Sequence, residues 1–198
     1  MSESDIAELC RRIYQKHRRA LDLIYEQRPD QQAMIQTILE NLIQETTDLA
    51  LDAHHKRYVR FVVQEWNVSM LLAGKDWTAL NRILLFFEFQ NAVDSLKLHL
   101  YIGPGPKETR QKLFDMAIQK KPLFKPAKSL YDKWNSIYQR SFLKPEDYED
   151  ASDDELEEKI RKHWTAFLEN DLPKIRAALK AEDWIWQSAN TPPPMQGS

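Results

Sequence analysis

The sequence predicts an α+β domain: an antiparallel sheet of three or four strands with an N-terminal helical hairpin and C-terminal helices. Two changes of rhythm carry this. Apolar residues recur at helical spacing as far as Ile43, the period drops to two at Tyr58, and it returns to helical at Lys107. A chain of 198 residues, 42% hydrophobic and 29% charged, is also long enough to bury a sizeable core.

The first helix runs from about Asp5 to Gln27, with Ile6, Leu9, Ile13, His17, Ala20 and Ile24 in one stripe, Cys10, Leu21 and Tyr25 widening it, and Ser4 as N-cap. Pro29 ends it, and Asp30 caps a second helix striped by Met34, Ile35, Ile38, Leu42 and Ile43. The short joint makes the two an antiparallel hairpin. His54 and His55 fall in a loop, after which Val59, Phe61 and Val63 alternate with Tyr58, Arg60 and Gln64 as a strand. Trp66 to Asn81 is a long loop holding Gly74, Asp76 and Trp77. Arg82 to Gln90 is apolar on both faces, as expected of a central strand with Leu84 and Phe86 packed under helices. Asn91 to Asp94 turns into Ser95 to Ile102, where Leu96, Leu98, Leu100 and Ile102 point inward and Lys97, His99 and Tyr101 outward. Gly103 to Pro106 breaks the strand, and a helix from Pro106 or Lys107 to about Gln119 turns Leu113, Met116 and Ala117 inward. A basic loop, Lys120 to Ser129, leads to a fourth strand at Trp134 to Phe142. Ser152 and Glu155 form a capping box for a helix carrying Leu156, Ile160, Trp164 and Phe167, which Pro173 kinks or divides.

Charge divides the chain in the same places. Residues 1–56, the helical hairpin, carry net −3; residues 57–145, the sheet and its helix, carry 15 Lys/Arg against 7 Asp/Glu, net +8; residues 146–198 carry net −7. Within the last part, 146–186 are expected to form acidic helices, and 187–198, polar and proline-rich, a disordered tail. The basic middle attracts polyanions unless the acidic part folds against it. The lone Cys10 forms no internal disulfide and suits a reducing, cytoplasmic setting. No secretory signal and no run of about 18 apolar residues is present.

Enzymatic signatures are sparse. Five histidines without helical ligand spacing and one cysteine make a poor metal set, and no cofactor is expected. There is no Gly-x-Ser-x-Gly elbow and no P-loop; Gly103 to Pro106 reads as a rigid turn, its prolines lacking the N–H groups of a phosphate cradle. Asp76, Glu88 and Gln90 have the tolerable spacing of a degenerate metal-dependent nuclease, with Gln90 where a lysine would orient water. Lys107, Arg110, Lys112, Lys120, Lys121, Lys125 and Lys128 span one helix and its following loop and form a candidate nucleic-acid strip, in which Arg110 is expected to contribute most through its bidentate fork. The outward sheet face, with Arg60, Gln64, Arg82, Glu88, Gln90, Lys97, His99 and Tyr101, is a second candidate surface.

Across residues 5–180 the chain resembles the C-terminal region of bacterial proteins of the PD-(D/E)XK nuclease superfamily. The resemblance is carried by Ile6 to Tyr14, Lys16 to Tyr25, Arg57 to Phe61, Arg82 to Asn91, Lys97 to Pro106, Trp134 to Tyr138 and Ser152 to Ile160. It implies that the catalytic half would precede Ile6, so no catalytic residue is carried over. The expected role is a non-catalytic accessory or nucleic-acid-binding domain, with a separate nuclease subunit as one kind of partner. The alternative is a protein-interaction subunit using aromatic surface around Trp66, Trp77, Trp184 and Trp186, or the degenerate nuclease above.

Overall fold

Five strands pair in chain order, each antiparallel to the next, in a computed structural model that describes residues 3–26, 30–72, 83–149 and 151–186. Met1–Gln31 and Gln32–Ser198 are two compact units. The first holds α1 (Glu3–Glu26), whose backbone leaves helical geometry at His17. The second begins with α2 (Gln31–Gln44), where the predicted stripe is buried at Ile35, Ile38, Leu42 and Ile43. The α+β reading holds, with one strand more than expected.

The sheet is β1 (Leu49–His55), β2 (Tyr58–Val63), β3 (Leu85–Asn91), β4 (Leu96–Ile102) and β5 (Asn135–Leu143). The extra strand is β1, so His54 and His55 lie in a strand, not a loop. Its period of two is broken by a bulge between Leu51 and Ala53, and a bulge shifts every later side chain to the opposite face, erasing the alternation that reveals a strand. Between β2 and β3, short 3-10 turns and a bridge from Leu72 to Ile83 border residues 73–82, so Asp76, Trp77 and Arg82 lie outside the described residues, as does the tail from 187.

One sheet face is apolar. Phe61 stacks on Phe87 at 5.1 Å and lies tilted against Phe89 at 6.0 Å, and Trp164 and Phe167 of the C-terminal helices stand against the three, with ring centroids 5.3–6.0 Å away. The covering helix α4 (Asp153–Ala166) starts at the predicted capping box: Ser152 Oγ accepts from the Glu155 N–H, and the Glu155 carboxylate accepts from the Ser152 N–H. Pro173 is accommodated by a π-helical turn, Phe167–Asp171, before α5 (Leu172–Lys180); widening the turn relieves the clash a proline makes with the carbonyl one turn earlier. Asp171 closes this layer by accepting from Tyr138 Oη at 2.6 Å and from Arg140 Nη1 at 2.5 Å. The α3 helix (Lys107–Gln119) and α6 (Asp183–Trp186) complete the unit.

Candidate nucleic-acid interface

The second sheet face is built from the alternate residues of the same strands. Across it run the rows Arg60, Glu88, His99, Gln139 and Phe86, Tyr101, Ser136, each in cross-strand register. Phe86 is fully buried, where its sequence context predicts a helix as its cover. Among the described residues its cover comes from Arg60, whose guanidinium lies 4.5 Å from the ring centroid, from Tyr101 stacked at 5.9 Å, and from Trp134 edge-on at 5.7 Å. Arg60 also faces Trp134 at 5.4 Å and Tyr58 at 5.8 Å, and donates to Glu88 Oε2 at 2.6 Å. Asp52, the unmatched residue of the β1 bulge, is turned toward Arg60, 3.9 Å from Nη1.

His99 sits in the centre of this face, 8% exposed and stacked on Tyr101. Ser136 Oγ donates to the Tyr138 carbonyl, so it accepts from His99 Nδ1 at 2.9 Å, and this chain of bonds fixes the Nδ1–H tautomer. Burial, with Lys97 alongside, lowers the His99 pKa and keeps the ring neutral. Its Nε2 is then an acceptor without a hydrogen-bond partner among the described residues. Burial beside Glu88 pushes the Tyr101 phenol up to about 12, so it remains a neutral hydroxyl, accepting from Gln90 Nε2 at 2.8 Å.

The degenerate-nuclease residues are differently employed. Glu88 neutralises Arg60, and Gln90 holds Tyr101, while Asp76 lies outside the described residues. A guanidinium stands between the two carboxylates, Asp52 and Glu88, where a bridging metal would sit. Among the described residues there is no group of three His, Cys, Asp or Glu side chains able to hold a metal.

The basic strip is split by the fold. Arg110 is 5% exposed and donates to the carbonyls of Gly103 at 2.9 Å, Tyr131 at 2.6 Å and Lys133 at 2.9 Å. Its fork is spent on backbone and clamps the loop after α3, which corrects the expectation of a phosphate contact. Desolvation lowers its pKa, against the opposing charge of Asp132. A signal for this was present: Arg110 shares its helical stripe with Leu113, Phe114 and Ala117, all buried. Lys112 pairs with Glu108 at 2.8 Å, and Lys120 with Glu182 of the acidic part at 3.3 Å. Lys107, Lys121, Lys125 and Lys128 are exposed and make no ion pair with the described residues. Two of the acidic residues after Leu143 pair instead with cations of α4, Asp147 with Lys159 at 3.1 Å and Glu157 with Arg161 at 2.7 Å.

The loop is anchored further by Lys125 N–H to the Ile137 carbonyl at 2.7 Å and by Tyr131 N–H to Asn135 Oδ1 at 2.7 Å. It ends at Trp134, 42% exposed, beside Tyr131 at 59%. Sequence reasoning missed these two rings as surface anchors. Of the aromatic anchors it named, Trp66 is fully buried, Trp184 and Trp186 are half-buried against the core, and Trp77 lies outside the described residues. No helix among the described residues is long and apolar enough to cross a membrane. Comparison with known protein families, curated proteins and solved structures finds no match to this chain.

Proposed function

We propose that the chain is a non-catalytic domain that binds single-stranded nucleic acid along the loop from Lys121 to Trp134 and onto the polar–aromatic sheet face. The observation that carries this is the continuity of the two. The loop presents exposed Lys121, Lys125, Lys128 and Lys133 and delivers Trp134 directly against Phe86 and Tyr101. Lysines there meet the phosphates, and the solvent-exposed parts of Trp134 and Tyr58, 42% and 37% exposed, offer aromatic surface for bases to stack on, which every base does irrespective of identity. Arg110 acts as a positioning residue through its three carbonyl bonds. The resemblance to the C-terminal region of PD-(D/E)XK nuclease-like proteins supports an accessory role beside a nuclease carried elsewhere.

The test is a fluorescence-anisotropy titration with labelled single-stranded DNA and RNA at low and moderate salt. Affinity is expected to fall steeply with salt through counterion release. The combined Lys121→Glu, Lys125→Glu and Lys128→Glu variant is expected to lose binding. Trp134→Ala is expected to weaken it by roughly five- to a hundredfold, the scale of one lost base stack, with the salt slope unchanged. No binding at low salt, or full affinity in the triple variant, would show the proposal to be wrong.

A further inference from the structure

Lys121, Lys125, Lys128 and Lys133 in the loop after α3 are exposed and make no ion pair with the described residues. Lys120, which precedes them, differs. Its Nζ lies 3.3 Å from Glu182 Oε1, and the two side chains are only 29% and 21% exposed, so solvent screens this pair less than an open surface pair. The carboxylate is also held in place. Its other oxygen, Oε2, accepts from Trp184 Nε1 at 3.2 Å. The turn that carries it is anchored by Ile185, which is fully buried, and by two bonds to the Leu179 carbonyl. The Glu182 N–H donates to that oxygen at 3.0 Å and Trp186 Nε1 at 3.1 Å.

The same turn faces a second cation. Lys112 Nζ stands 5.6 Å from the Trp184 ring centroid, and it pairs with Glu108 at 2.8 Å on its own helix. Glu108 is 81% exposed, and a pair of that kind contributes little and exchanges readily. Asp183, beside Glu182, is exposed and adds a second negative charge to the turn. A carboxylate bonded to an ammonium fills the place that a phosphate oxygen would take. Given the single-strand binding proposed above, on which this depends, we infer that Glu182 is an internal competitor for phosphate. It withholds Lys120 from the strand and ends the binding strip at Lys121, so that nucleic acid follows the loop toward Trp134 and does not continue onto α3.

Anisotropy titration of the full chain with labelled oligothymidylate across a salt series tests this, with circular dichroism and thermal melts to verify the fold of each variant. Glu182→Gln keeps an acceptor for Trp184 Nε1 and removes the charge. It is expected to bind roughly three- to tenfold tighter. The slope of log affinity against log salt is expected to steepen by about 0.7, the effect of one added phosphate contact on a single strand. Asp183→Asn makes the same change of net charge one residue away and is expected to leave the slope at its wild-type value. Lys120→Gln alone is expected to change affinity by less than about twofold, whereas Lys121→Gln weakens it and flattens the slope. Adding Lys120→Gln to Glu182→Gln is expected to cancel the gain. A Glu182→Gln variant with wild-type affinity and slope, or an Asp183→Asn variant that reproduces its full effect, overturns the inference. So does a double variant that keeps the steeper slope. Should Glu182→Gln fail to fold, a loss in Lys120→Gln as large as that in Lys121→Gln overturns it instead. Absence of binding by both wild type and Glu182→Gln removes the nucleic-acid reading and this with it; binding by the wild type without a gain in Glu182→Gln defeats this alone.

Discussion

The two faces of the sheet share every strand and yet follow different rules. On one, Phe61, Phe87 and Phe89 are sealed by Trp164 and Phe167, and each ring touches others on two or more elements. On the other, the described residues that face Phe86 are a guanidinium and two rings projecting from the sheet and its entry loop, and carboxylate, imidazole and amide groups fill the rows. The first face is a packing problem solved by helices. On the second, Arg60 pairs with Glu88, Gln90 with Tyr101 and His99 Nδ1 with Ser136 within the face, while Tyr58 and Trp134 remain in contact with solvent. A sheet of one composition thereby provides both a core and a surface with specific chemistry.

Four variants probe this contrast, in descending order of effect on stability. Phe87→Ala removes a ring in contact with Phe61, Trp66 and Phe167, and urea unfolding is expected to show a loss of about 3–5 kcal/mol. Arg110→Lys keeps the charge but cannot reach three carbonyls in a fork. It is expected to cost about 1.5–3 kcal/mol, and to reduce oligonucleotide affinity although the residue meets no phosphate. If Arg110→Lys unfolds like the wild type, the clamp is not a structural one.

The third probe is pH. His99 and His163 both have pKa values lowered by burial. In the unfolded chain imidazole takes up its proton near 6.5, whereas the folded ring resists it until lower pH. Acid therefore favours the unfolded state: the stability these residues give is full above that value and is lost as pH falls through and below it. His99→Asn is expected to flatten the decline in urea midpoint between about pH 7 and pH 5. Should the slope be unchanged, the ring is not held neutral. The smallest effect belongs to the triple lysine reversal, expected to shift stability by less than about 0.5 kcal/mol per site while binding disappears.

The parts legible in the sequence are those where one rule acts alone. β4 alternates without interruption, the run before it is apolar on both faces as a central strand is, and α4 carries its capping box, so all three stand close to the expected residues. β1 was hidden because a single inserted residue, Asp52, shifts the alternation midway. Arg110 was misplaced because charge outweighed its position on a buried stripe, and Trp134 was assigned to a strand when it ends the loop before it. Partners distant in sequence, such as Arg60 with Glu88 or Arg110 with Lys133, depend on register and loop path, which local patterns do not encode.

Sheet order identical to chain order has a consequence for synthesis. Each strand finds its neighbour as it leaves the ribosome, since no strand waits for a later one to be inserted beside it. The seal over the aromatic face comes from the far end of the chain. Phe89 is made 78 positions before Phe167, an interval of roughly 4–16 s at ordinary translation rates. Through that interval the sheet grows from β3 to β5 ahead of the helices that seal its phenylalanines, so the nascent chain passes through a sticky stage that a chaperone or a slow neighbour on the polysome would encounter, and that the finished protein no longer displays.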